Sequence, residues 1–242
     1  MSRAEQALLF RIIGSPDVNI VKIIYEDETI LVVDKPAGML THPAGKNVSG
    51  TLLNALLSYS EGFQRLERAG IVHRLDRDTS GIIVVAKNNL AYRSLKKQFK
   101  EREIKKKYLA VVKGKFPFDK EEFKIPLGRK GDQITRGLTF KEGKEAITKF
   151  RVLRTFEPAT FLEVFPKTGR THQIRATLFF LGYPIIGDRK YGGKKTEIDG
   201  LIGRQALHSS TIGFLHPSTK KYLIFTAPLP EDMERLLQSL RE

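Results

Sequence analysis

The sequence predicts an α+β fold: a mixed, mainly antiparallel β-sheet core with flanking helices. Three features point there: short apolar runs of strand length, apolar stripes at helical spacing between some of them, and hairpin signals without regular strand–helix alternation. Taking the elements in order, Ala4–Ile13 carries a weak helical pattern that Gly14-Ser15-Pro16-Asp17 breaks. Residues 1–22 therefore read as an arm or linker, and 23–242 as one domain. Ile30-Leu31-Val32-Val33 is a strand stopped by Asp34-Lys35-Pro36, and Leu52–Leu57 a short helix with Thr51 near its start. Ile82–Val85 is a second buried strand. The clearest helix follows, with Tyr92, Leu95 and Phe99 on one stripe and Arg93, Lys96, Lys97, Lys100 and Arg102 on the other faces. Tyr108–Val112, Phe150–Leu153 and Phe161–Phe165 read as strands, and Gly128–Gly143 as an extended hairpin or exposed loop. A helix over Thr171–Leu181, with Thr171 as its N-cap, buries Ile174, Leu178 and Leu181 and stops at Gly182. Leu207–Phe214 and Tyr222–Phe225 form a hairpin across His216-Pro217-Ser218-Thr219, and Pro230-Glu231-Asp232 opens a C-terminal helix.

Composition narrows the function. With 40% hydrophobic residues among 242, including 15 Phe and 7 Tyr, the chain has ample material for a core. No apolar run approaches the roughly 20 residues of a membrane span, and the first residues lack a signal peptide's layout. The absence of cysteine removes disulfides and thiol nucleophiles and fits a reducing compartment, so a cytoplasmic protein is expected. Lys and Arg number 42 against 27 Asp and Glu, a net charge of +15, which points to a polyanionic partner such as nucleic acid.

Three segments carry the chemistry. In Gly70–Gly81, Asp76 sits between Arg74 and Arg77 at a loop edge; nearby cations keep such a carboxylate ionised, fit to act as nucleophile or base. The same Asp, Thr, Ser and Gly residues also simply make turns. In Pro166–Arg175, Gly169 permits a tight turn. Arg170, His172 and Arg175 then lie near a helix's first turns, as an anion site or as a capped helix with a structural ion pair. The cationic run Arg93, Lys96, Lys97, Lys100, Arg102, Lys105, Lys106 and Lys107 has the density that phosphate contact requires; a solvated helix face is the alternative. Kinase, P-loop and zinc patterns fail on spacing: Gly193 stands where a P-loop has Lys, and no histidines fall at i, i+4. Asp76 and Asp78, two apart amid arginines, make a poor magnesium site.

Together these segments resemble the RluA-type family of pseudouridine synthases, in its large-subunit ribosomal RNA and tRNA branch. The matches are Val33–Met39 with His42-Pro43, His73-Arg74-Leu75-Asp76 with Thr79-Ser80-Gly81, Lys106–Ala110, Thr168–Arg175, Gly182–Asp188, and Leu207-His208 with His216-Pro217. They keep the family's order over about residues 23–228, and His73 stands where the small-subunit type tends to have Gly. The resemblance implies a pseudouridine-synthase fold that isomerises uridine in RNA, ribosomal or transfer, without cofactor or metal, as a monomer. It implies catalytic roles for Asp76, Tyr108 and Arg175, with Arg175 paired to the aspartate, and Arg74 in the place of the extruded nucleotide. RNA contacts are expected from His73, Arg74, Arg77, Lys96, Lys97, Lys100, Lys105, Lys106, Lys107, Arg170 and His172. Many larger relatives carry an N-terminal S4 domain; about 22 residues precede the core here, so RNA contact is expected from the core itself. A noncatalytic RNA-binding module on the same scaffold is the second reading.

Overall fold

The computed structural model describes residues 9–11, 20–128 and 143–241. In chain order the strands and helices are β1 (Leu9–Arg11), β2 (Ile20–Glu26), β3 (Ile30–Lys35), α1 (Leu52–Tyr59), β4 (Ser80–Ala86), α2 (Asn89–Lys100), β5 (Lys105–Lys113), β6 (Lys120–Leu127), β7 (Lys144–Thr155), β8 (Ala159–Pro166), α3 (Gln173–Phe180), β9 (Leu207–Leu215), β10 (Tyr222–Thr226) and α4 (Glu231–Ser239). The chain forms two compact units. The first comprises Met1–Lys105 and Ser209–Pro228, the second Lys106–His208 and Leu229–Glu242. The first unit is therefore discontinuous in sequence.

In the first unit the sheet runs β1-β2-β3-β4-β9, with β10 also on β9. Ile30 and Val32 of β3 and Ile82 and Val84 of β4 pack with Ala91, Tyr92 and Leu95 of α2 and Phe214 of β9. Leu31, Val33, Ile83 and Val85, on the opposite sheet face, are also fully buried, which is why both strands read as unbroken apolar runs. Thr51 caps α1 in a capping box with Asn54, and Asn88 Oδ1 caps α2 by accepting from the Ala91 amide at 2.9 Å. Gly81, at φ +114°, leaves no room for a side chain, because a Cβ there would lie 2.2 Å from the Ser209 carbonyl oxygen.

The second unit has an antiparallel sheet in the order β5-β8-β7-β6. Ala110, Val112, Leu162, Val164 and Phe150 form its core with Ile174 and Leu178 of α3 and Met233 and Leu236 of α4. A two-pronged Arg204–Asp232 pair (2.6 and 2.9 Å) anchors α4 at its first turn.

Three expectations change. The described part of the stretch expected as a weak helix, Leu9–Arg11, is a strand paired with β2. α3 begins at Gln173, and its N-cap is His172 in the left-handed conformation (φ 55°), not Thr171. No side chain caps α3; Gln173 instead braces the turn before it, its Oε1 accepting from the Thr168 hydroxyl (2.8 Å) and the Arg170 amide (2.9 Å). β6 was not expected; its Lys-, Glu- and Pro-rich sequence is that of an edge strand. The Gly14–Asp17 break and most of the Gly128–Gly143 segment lie outside the described residues.

Candidate active site

The expected site residues divide between the units. His73, Arg74, Asp76, Arg77, Lys96, Lys97, Lys100 and Lys105 belong to the first; Lys106, Lys107, Tyr108, Arg170, His172 and Arg175 belong to the second.

In the first unit, the backbone on each side of Asp76 is pinned. Thr41, buried at the end of the turn after β3, donates its hydroxyl to the Leu75 carbonyl (3.0 Å) and accepts from the Leu75 amide (3.2 Å). On the other side, the fully buried Lys35 ammonium donates to the carbonyls of Arg77 (3.1 Å), Pro36 (2.7 Å) and Met39 (2.9 Å). A turn from Asp76 to Thr79, closed by the Thr79 amide on the Asp76 carbonyl at 3.2 Å, presents the half-buried carboxylate. Arg77 turns its Nε to the Gly38 carbonyl (3.0 Å), and Arg74 is exposed.

His73 has an internal job. Its Nε2 accepts from the Val84 amide at 3.0 Å, and its ring stacks on Phe99 at 4.7 Å. That hydrogen bond needs a lone pair on Nε2, so the ring is neutral with its proton on Nδ1. Upstream, Arg68, Ala69 and Gly70 all have positive φ (53°, 52° and 76°), a strained entry into the loop for the two residues that carry a Cβ. Burial, then the charges of Arg68 and Arg74, push His42 below the ordinary histidine value, so the ring is neutral at neutral pH.

In the second unit, Tyr108 is half-buried on β5, opposite Val164 and against the core. Arg175 is buried, and Asp188 grips its guanidinium through Nε (2.7 Å) and Nη2 (2.9 Å). The guanidinium also lies over the Tyr191 ring, 5.3 Å from its centroid. Asp188 Oδ1 further accepts from the Lys190 and Tyr191 amides, each at 2.9 Å. Burial pushes this carboxyl up, but the Arg175 hydrogen bond and charge and the two amides outweigh it and hold the group below its ordinary value. His172 Nδ1 meets the Tyr191 hydroxyl at 3.2 Å, and Arg170 Nε donates to the Glu145 carbonyl. Gln173, 4% exposed, donates Nε2 to the Ile147 carbonyl and the Thr148 hydroxyl, fastening the 168–170 turn to β7.

The cationic run is not one uniform face. Lys96, Lys97, Lys100 and Lys105 are exposed; Lys96 makes a surface pair with Glu67 (3.5 Å) and lies over the Tyr92 ring (5.1 Å to its centroid), and Lys97 makes a surface pair with Glu101 (4.0 Å). Lys107 turns to the buried Glu163 at 3.2 Å. Lys106 is drawn inward, and burial brings its ammonium down to a pKa of about 8.

Sequence reasoning missed Thr41 as an anchor, Gln173 as a brace and Asp188 as the holder of Arg175. For Asp188 a signal was present, in the Gly187-Asp188 match, but spacing alone names no partner for it. Among the described residues, no three His, Cys, Asp or Glu side chains cluster as metal ligands.

A family model described as RNA pseudouridylate synthase matches residues 29–179. An uncharacterized RNA pseudouridine synthase of Bacillus subtilis, YlyB, is 46% identical over 224 residues, covering 91% of this chain and 73% of that protein. The ribosomal large subunit pseudouridine synthase D of Nitrosomonas europaea is 43% identical over 225 residues; the match covers 91% of this chain but 65% of that protein, just under two thirds. In fold, the human RNA pseudouridylate synthase domain containing 4 protein aligns with a TM-score of 0.72 at 22% identity, over 90% of this chain and 92% of the other.

Proposed function

The chain belongs to the RNA pseudouridylate synthase family, and from that premise we propose that it converts uridine to pseudouridine in structured RNA, ribosomal large-subunit RNA first and tRNA second. The observation that carries this is the family match over residues 29–179, which takes in the pinned Asp76 loop, Tyr108 and Arg175. A uracil inside folded RNA is out of reach of a carboxylate, so the nucleotide must be turned out of its stack at a cost of about a few kcal/mol. In this reading exposed Arg74 fills the vacated place, and Tyr108 offers an aromatic surface; base–aromatic stacking is worth roughly 1–3 kcal/mol. Asp76 then starts the reaction, in which the N1–C1′ bond breaks, the uracil turns, C5 bonds to C1′ and loses its hydrogen as a proton, and N1 ends protonated. Arg175 supplies a fixed positive charge whose orientation Asp188 sets. The protein works in this reading as a cytoplasmic monomer without metal or cofactor.

The test is to map pseudouridine in ribosomal and transfer RNA from cells with and without the gene, and to treat the responsive RNA with purified protein. Loss of specific sites in the deletion, restored by wild type and not by Asp76→Asn, is expected. RNA binding with no isomer under any condition would identify a noncatalytic module instead.

A further inference from the structure

Several lysines among the described residues are partly or fully withdrawn from solvent, and Lys35, Lys107 and Lys113 have their ammonium groups well matched. Lys35 donates to three carbonyls. Lys113 donates to the carbonyls of Gly192 and Lys194 and pairs with Asp199 at 2.6 Å. Lys107 has the Glu163 carboxylate. Lys106 differs: its partner among the described residues is the Thr168 carbonyl, at a long 3.3 Å.

An ammonium carries three N–H donors, and withdrawing it from water without a counter-ion is costly. A lysine that buried only its stem would keep its head in water and its ordinary basicity. Lys106 is half-buried with its ammonium turned to the part-buried Thr168 carbonyl, and burial brings it to about 8. The charged groups on neighbouring elements are committed elsewhere. Lys107 and Glu163 pair on the opposite face of the strand, Lys167 pairs with Glu122 at 2.7 Å, and Arg170 is bound to the Glu145 carbonyl. His172 meets Tyr191, and burial is the one cause acting on Lys106. Lys106 also stands two residues before Tyr108, on the same face of β5.

We propose that Lys106 is the receptor for one phosphodiester oxygen of the bound RNA, beside Tyr108, and that the missing counter-ion is the RNA itself. The proposal rests on the RNA substrate inferred above and adds to it a defined contact. A phosphodiester is a fixed anion that fills the empty donor positions and offsets the desolvation. The ammonium then regains its proton, so that RNA binding above pH 8 takes up a proton from solution. The exposed lysines of α2 contribute to affinity but not to this uptake.

The experiment uses the Asp76→Asn protein, in which chemistry is stopped, and a uridine-containing ribosomal RNA hairpin. Binding is measured by calorimetry at pH 8.5 in two buffers of different ionisation enthalpy. Uptake of most of one proton is expected. Adding Lys106→Met should abolish the uptake, weaken binding about tenfold and lower the salt slope by about one. Lys106→Arg should restore affinity with no uptake, because arginine keeps its proton at that pH. The Met variant should melt no lower than its parent, because a structural lysine would cost stability when removed and this one relieves strain. Uptake that persists in the Met variant, unchanged RNA affinity, or a lower melting temperature each overturns the proposal. So does uptake that appears only with Asp76 intact, which would make the reacting base the anion. Pseudouridine formation by the wild type is followed in parallel. If that succeeds while uptake is absent, the Lys106 proposal alone falls; if the wild type neither binds nor modifies RNA, the functional reading falls and takes the proposal with it.

Discussion

At the scale of single residues, the chemistry depends on side chains that never touch RNA in the proposed reaction. Arg175 owes its orientation to Asp188, which has two bonds to the guanidinium and two to backbone amides. Removing one charge of a buried pair costs about 3–5 kcal/mol, because the other is left behind unpaired. Asp188→Asn is accordingly expected to lower stability by about 3 kcal/mol in urea titrations, and, with Arg175 in its proposed role, to lower kcat more than it raises KM. The pH dependence has a definite sign. Asp188 sits below its unfolded value in the folded protein, so its contribution is full above about pH 4 and is lost as pH falls through the lowered value. Acid unfolding should therefore be shallower in the Asn variant. These partners were invisible in the sequence for a plain reason. Asp188 and Arg175 are thirteen positions apart with a helix and a turn between them, and no periodicity connects them. The motifs that contain Asp76, Tyr108 and Arg175 can be read in the sequence; the groups that hold Arg175 and the backbone beside Asp76 cannot.

At the scale of elements, the Asp76 loop is a rigid presentation device. One hydroxyl, that of Thr41, serves both backbone groups of Leu75. Thr41→Val keeps the volume but leaves a buried amide and carbonyl without their partner, at a penalty of about 1–3 kcal/mol. A melting temperature lower by several degrees is expected, with kcat reduced and RNA affinity unchanged; unchanged turnover would show that the loop needs no such anchor. Gly81→Ala is a harsher case, because its Cβ meets the Ser209 backbone at 2.2 Å, and little folded protein should be recovered on expression. Strands β3 and β4 and helix α2 were readable because burial on one stripe or on two faces leaves a pattern. The sequence sets the start of α3 a little early, since Ser or Thr is the usual cap and here a left-handed histidine stands there, with the following glutamine bracing the turn before it. β6, polar and proline-bearing, left no apolar signature at all.

At the scale of the whole molecule, the net charge of +15 sets how the chain meets a polyanion. Lys96, Lys97 and Lys100 on α2 are exposed and only weakly paired, so their charge is available to phosphate. Reversing all three to Glu is expected to weaken RNA binding by at least tenfold at 100 mM salt and to flatten the salt dependence by about three in log–log slope, with the fold intact by circular dichroism. Equal affinity for variant and wild type would remove α2 from the interface. The α+β class and the basic character were both plain from composition and patterning, because they are sums over many residues. The division into two units was not, because it depends on which distant segments meet.

That division has a consequence for synthesis. The strand beside β4 begins its contribution at Ser209, after the whole Lys106–His208 insertion. While the ribosome translates the intervening stretch, the hydrophobic edge of β4 waits without its neighbour, and the nascent chain is exposed to chaperones and to mispairing. Stalling translation just before residue 209 should leave the first unit protease-sensitive, and releasing the arrest after residue 228 has emerged should protect it.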